Sequence, residues 1–186
     1  MKTLSSLIVR TLLLFTLAGS ALAGPSPKES FDQAMQPILK DYLALQDRLA
    51  ADSNATVKES AARIRKEAAA LDAAGIKGEH ADHYRKIAAS LQSSATALEK
   101  APDLAAAREA FKKLSQPMAM WQAMAAPKAV DVVYCPMAKA SWLQPRGEIR
   151  NPYYGSKMLR CGKVVTAAAS VDVAAPKGHG DHPHSH

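Results

Sequence analysis

Aromatic side chains make up only 5% of the 186 residues, and cysteines number two. So few cysteines exclude a disulfide-dense mini-domain; two is the number for one disulfide or one thiolate metal site. Catalytic signatures are also missing. The sequence has no Gly-x-x-x-x-Gly-Lys phosphate loop, no His-Glu-x-x-His, no serine elbow, no Cys-x-x-Cys and no Cys-x-x-Cys-His. Nucleotide hydrolysis, zincin proteolysis, serine-hydrolase chemistry, thioredoxin-type catalysis and c-type haem attachment therefore have no support. We expect a protein that is not an enzyme.

Long hydrophobic runs are lacking as well. The first 23 residues carry Lys2 and Arg10, an apolar stretch Leu12-Leu13-Leu14-Phe15-Thr16-Leu17, and Ala21-Leu22-Ala23. A basic start, an apolar stretch too short to cross a bilayer and a small-x-small site read as a secretory signal cut after Ala23. Downstream, no run approaches ~18 apolar residues, so no membrane span is expected in the mature chain. The expected location is the periplasm or the exterior.

What is present is ordinary globular chemistry, 48% hydrophobic and 22% charged. The formal net charge is +7, and its distribution is uneven. Between residues 128 and 163, Lys128, Lys139, Arg146, Arg150, Lys157, Arg160 and Lys163 face only Asp131 and Glu148. No nucleic-acid reading motif accompanies this excess, and export argues against such a partner.

From residue 30 to about 125 the sequence predicts helices, because alanine is abundant and apolar positions recur at three and four. The stripes are Phe31, Met35, Ile38, Tyr42, Leu45 and Leu49; Val57, Ala61, Ile64, Ala68 and Leu71; Tyr84, Ile87, Leu91, Ala95 and Leu98; and Leu104, Ala107, Phe111, Leu114, Met118, Trp121 and Ala125. Pro37 should start or kink the first helix, Gly75 should close the second, and Pro117 should bend the fourth. Short connections favour an antiparallel four-helix bundle over 28–127. After Pro127 the character changes. Ala129–Tyr134 and Lys163–Thr166 are β-branched runs of strand type. Pro136, Pro145, Gly147, Pro152 and Gly155 lie between them and argue against a regular element there. The expected fold is thus mainly α, a bundle followed by a loop-rich, β-hairpin-like block over 128–168. A flexible tail over 169–186 ends the chain.

If the two strand-like runs pair antiparallel, Cys135 and Cys161 meet across the ladder. Met137 follows Cys135 and Met158 precedes Cys161, which sets Cys135-Pro-Met137 against Met158-Leu-Arg-Cys161. Two thiolates and two thioethers are soft donors that select Cu(I) over magnesium, calcium or manganese. In an oxidising compartment the same cysteines suit a structural disulfide, with the methionines as packing. Both readings stand on sequence alone, and they are compatible as reduced and oxidised states of one pair. Trp142, Tyr153 and Tyr154 would pack the intervening loop over the site. Lys139, Arg150, Lys157 and Arg160 would lower the thiol pKa values or dock an acidic partner surface.

The run from Tyr134 to Gly162, with Cys135-Pro-Met137, Trp142, Asn151-Pro-Tyr-Tyr-Gly155 and Met158-x-x-Cys161-Gly162, resembles a bacterial exported domain of uncharacterised function. That domain occurs alone or attached to periplasmic adaptor subunits of copper and silver efflux systems. With the four helices before the block, the resemblance covers roughly 31–165. It implies copper or silver handling outside the cytoplasm, with an efflux adaptor or another envelope protein as partner. The resemblance does not identify ligands, and the His-rich tail is not part of it.

The tail holds His179, His182, His184 and His186 beside Asp181. Imidazoles on a flexible segment suit Cu(II) or Zn(II), so a second, harder metal site is expected there, against the alternative of a solvated end. His80 and His83 read as a polar helix start. Met120 and Met124 read as rim packing. The sequence-based expectation is a periplasmic copper(I)-binding protein for sequestration or handover. Its alternative is a disulfide-closed interaction module that binds no metal.

Overall fold

The computed structural model describes residues 25–73, 76, 78–125 and 129–165. The expected signal and His-rich tail lie outside the described residues, as does Gly75. Helix α1 spans Pro27–Ala50 and opens with a capping box. The Ser26 hydroxyl accepts from the Glu29 N–H, and the Glu29 carboxylate accepts from the Ser26 N–H, so two orphan donors are satisfied at once. The helix runs on through Pro37, so the start expected at that residue is replaced by one at Pro27. Pro37 is exposed, where the carbonyl its missing N–H leaves free is open to water. Met35, Ile38, Leu39 and Tyr42 hold the opposite face in the core. Helices α2 (Val57–Ala73), α3 (Ala81–Glu99) and α4 (Leu104–Ala125) follow, and α4 likewise contains Pro117.

The expected stripes are the core. All their residues are buried except Leu104 and Ala125, which pack half-buried at its margin. Each helix packs on its sequence neighbour, but α1 and α4 leave a groove between them, and a strand fills it.

Three antiparallel strands, β1 (Val130–Cys135), β2 (Ala140–Pro145) and β3 (Lys163–Val165), form a sheet ordered β2-β1-β3. The β1–β3 pairing is the expected one, with Tyr134 opposite Lys163 and Val132 opposite Val165. Strand β2 corrects the expectation of a loop. The prolines lie at its margins, Pro136 in the hairpin loop and Pro145 at its last position. Its Trp142, Leu143 and Gln144 are all buried, because the strand is covered on both faces. A two-sided strand lacks the alternation by which short strands are recognised.

Strand β2 lies against both α1 and α4, and Tyr42 joins the three elements. The Tyr42 hydroxyl accepts from the Leu143 N–H at 3.1 Å and bonds Ser115 Oγ at 2.8 Å, and Ser115 Oγ donates to the Phe111 carbonyl at 2.9 Å. The outer edge of β2 thus finds a partner inside the bundle. Burial pushes the Tyr42 phenol well above its ordinary value, so it stays a neutral hydroxyl. Aromatic contacts continue outward: Tyr42 stacks on Phe111 at 4.8 Å, Phe111 meets Tyr153 at 6.2 Å, and Tyr153 meets Trp142 edge-on at 5.5 Å.

Candidate functional site

The hairpin between β1 and β2 turns through Pro136, Met137, Ala138 and Lys139, with Lys139 at φ 49°. Cys135 closes β1 opposite Ala140 and is fully buried. Cys161 precedes β3 and is half-buried. Its N–H donates to the Met158 carbonyl at 2.9 Å, which closes a turn at the end of the 3-10 segment Gly155–Met158. The two sulfurs lie 3.1 Å apart, both as free thiols. The β1–β3 register explains this approach: continued one step, it sets Cys135 opposite Gly162, the neighbour of Cys161.

Asn151 builds the loop that carries Cys161. Its side chain is completely buried. Oδ1 accepts from the N–H groups of Tyr153 and Tyr154 at 2.8 and 3.3 Å, and Nδ2 donates to the Cys161 carbonyl at 2.8 Å. Its own N–H donates to the Leu159 carbonyl at 2.8 Å. This Asx turn ties both limbs of the loop to one side chain. Gly155, at φ 56°, is required next, because a Cβ there would fall on the Asp52 carboxylate and the Arg108 guanidinium. These two side chains anchor the loop to the bundle. Arg108 donates to the carbonyls of Pro152 and Leu49 at 3.0 and 2.8 Å and to Asp52 at 2.6 Å, while Asp52 accepts from the Ser156 N–H at 2.9 Å. The hydrogen bonds from Ser156 and Arg108 hold the Asp52 carboxyl far below the usual carboxylate range.

The thiols are inequivalent. Burial opposes ionisation of Cys135, but hydrogen bonds from Cys161, from the Ala138 N–H at 3.5 Å, from Asn151 and from the Met137 N–H outweigh it and lower its pKa. The Cys161 thiol is pushed up, first by its hydrogen bond to Cys135, then by burial and by the neighbouring charge. The hydrogen bond between the two sulfurs thus lowers the pKa of one thiol and raises that of the other. The expected lowering by nearby cations is not how this arises. Arg150 pairs with Asp47 at 2.9 Å and Arg160 with Glu148 at 2.7 Å, and neither these nor Lys139 or Lys157 figure among the causes of the shift. Backbone and side-chain N–H donors supply it instead.

Of the other expected site residues, Met137 sits in the hairpin loop with its side chain 62% exposed, and Met158 is half-buried at the end of the 3-10 segment. Trp142 is fully buried and Tyr153 nearly so, with the Tyr153 hydroxyl donating to the Ser141 carbonyl at 2.5 Å. Tyr154 is half-buried and donates from its hydroxyl to the Met137 carbonyl at 3.2 Å, bracing the hairpin loop from the Cys161 side. His179, His182, His184 and His186 lie outside the described residues. Among the described residues no group of three or more His, Cys, Asp or Glu is placed to hold a metal. In the sequence, Asn151-Pro152 stands out only as part of the Asn151-Pro-Tyr-Tyr-Gly155 motif. The roles of Asn151, Asp52, Arg108 and Tyr42 were missed, and an Asn before Pro was the one local signal available for any of them.

The fold and the paired sulfurs define a helical bundle whose groove is closed by a small sheet bearing two adjacent thiols. A family model described as a protein of unknown function (DUF3347) matches residues 38–128, from within α1 to just past α4. The match covers the helices and stops short of the Cys135–Cys161 block, on which the resemblance to efflux-associated domains rests. No curated protein and no solved structure matches the chain.

Proposed function

We propose that the protein binds Cu(I) as cargo in the periplasm or outside the cell, for sequestration or for handover to an efflux adaptor or another envelope protein. Cys135 and Cys161 are the thiolate donors, and Met137 and Met158 are thioether donors from the two flanking segments. Silver, equally soft, suits the same donors. The observation that carries the reading is the pair of free thiols 3.1 Å apart. The two sulfurs are close enough for one soft ion to bridge them with a small adjustment of the loop, and the N–H groups around Cys135 favour the thiolate that such an ion needs. Trp142, Tyr153 and Tyr154 shape the loop beside it. The protein acts as a carrier and carries out no catalysis. The histidines of the tail form a separate, harder site for Cu(II) or Zn(II).

Anaerobic titration of the reduced mature protein with Cu(I), against a competing chelator, tests this. Wild type takes up Cu(I). Cys135→Ser and Cys161→Ser nearly abolish uptake, and Met137→Leu and Met158→Leu weaken it ~10–100-fold, equivalent to ~1.4–2.7 kcal/mol. The alternative, a disulfide-closed interaction module that binds no metal, draws on the same short separation. It gives silent Met→Leu variants and Cys→Ser variants that lose about 2–5 kcal/mol of stability. Absence of Cu(I) uptake by reduced wild type ends the copper reading.

A further inference from the structure

We infer that Cys161 is the exchange sulfur of a reversible disulfide: external thiols and disulfides react at Cys161, Cys135 completes or breaks the bond from inside, and bond formation withdraws both donors from the metal. The inference rests on the proposed copper site only for what the switch controls. The exchange chemistry itself stands on the asymmetry of the pair.

That asymmetry is geometric. Cys135 is 0% exposed, within the core cluster, whereas Cys161 is partly open on the loop before β3. Thiol–disulfide exchange needs in-line access to the sulfur attacked, so an outside reagent meets Cys161 first. Met137 and Val164, 62% and 54% exposed, are the large apolar side chains left open among the described residues, and they lie on the segments flanking the pair. Both backbones are already held. Cys135 is in the ladder with Ala140, and Cys161 is bonded through its N–H to Met158 and through its carbonyl to Asn151. The sulfurs need only close from 3.1 Å to the ~2.05 Å of a disulfide, so the change is small and local.

The chemistry balances with a thiol–disulfide reagent as the co-reactant. In the oxidising direction Cys161, the accessible sulfur, gives up its proton and attacks one sulfur of an external disulfide. A mixed disulfide forms on Cys161, and the other half of the reagent leaves as a thiolate. The Cys135 thiolate then attacks Cys161 Sγ, expels the second thiolate and closes the internal bond. The pair is oxidised by two electrons, the reagent is reduced to two thiols, and the two protons of the pair go to those thiols. Reduction runs in reverse: an external thiolate attacks Cys161 Sγ, and the bonding electrons depart on Cys135.

Glutathione disulfide and the full mature chain provide the test, read by intact mass and site mapping. Cys135→Ser should take up one glutathionyl group on Cys161. Cys161→Ser should react at Cys135 at least ~10-fold more slowly in the native state, with the difference vanishing in denaturant. Limited alkylation of reduced wild type checks this without any substitution, and should label Cys161 first. Wild type with glutathione disulfide should end as the internal disulfide and should then refuse Cu(I) until reduced. Equal native reactivity of the two thiols, or stable glutathionylated wild type that never closes, overturns the inference. So does undiminished Cu(I) binding by the oxidised form. If reduced wild type binds no Cu(I) yet exchanges at Cys161 as described, the copper reading fails and the exchange chemistry stands.

Discussion

Two polar side chains, the buried Asn151 and the exposed Asp52, do for the Cys161 loop what regular structure does elsewhere. Asn151→Ala leaves the Cys161 carbonyl and the Tyr153 and Tyr154 N–H groups without their partner. At ~1–3 kcal/mol for each orphaned group, with relaxation and water recovering part, a loss on the order of 3 kcal/mol is expected in urea unfolding. The Cys135 thiol should also become faster to alkylate in that variant, because the limb covering it is released. Asp52 predicts a pH effect. Its folded pKa lies below its unfolded value because Ser156 and Arg108 bond the carboxylate. The stabilisation is therefore complete above the unfolded pKa near ~4 and drains away as pH falls below it. Unfolding measured at neutral and acid pH should show Asp52→Asn less stable than wild type at pH 7, with a smaller further loss on acidification.

Among the elements, α4 packs on α3, α1 and β2. Phe111 is fully buried, stacks on Tyr42 of α1 and meets Tyr153 of the thiol-bearing block. Phe111→Ala should cost ~3–5 kcal/mol through the cavity it leaves, while the stoichiometry of Cu(I) in the protein that still folds should remain that of wild type. An unchanged melting temperature would show that this face does not pack a core. Strand β2 explains why the same helix tolerates a neighbour of another class. The groove between α1 and α4 accepts a flat two-sided strand, and Tyr42 and Ser115 provide the polar contacts that its edge requires.

For the molecule as a whole, the bundle and the thiol block form one body, joined by Arg108 to the Pro152 carbonyl and by Gln46 Nε2 to the Arg150 carbonyl at 2.6 Å. No helix among the described residues is long and apolar enough to cross a membrane. The proposed division between a soft sulfur site and a harder imidazole site makes the two separable. Deleting Gly178–His186 should lower uptake of Cu(II) or Zn(II) and leave Cu(I) affinity where it was, as measured by competition titration, since imidazole and thiolate differ in softness. Loss of Cu(I) binding on this truncation would refute the two-site arrangement.

The helices were legible because their information is local and periodic. Stripes such as Val57-Ala61-Ile64-Ala68-Leu71 repeat at the helical period, and each lies in the core. The β1–β3 pairing was legible for a similar reason, since two β-branched runs end on the two cysteines. The remainder depended on segments far apart in the chain. Nothing near Ser141-Trp-Leu-Gln144 announces a strand, because its burial on both faces is imposed by α1 and α4. Asp52, Arg108 and Gly155 carry no joint sequence signal, yet the missing Cβ at Gly155 is what lets the other two side chains meet over it. Composition and spacing alone brought Cys135 and Cys161 into one argument. Which thiol is buried, which is open and in which direction each pKa is shifted was decided by the folded loop, because exposure and hydrogen bonding at a sulfur are set by neighbours that only tertiary structure assembles.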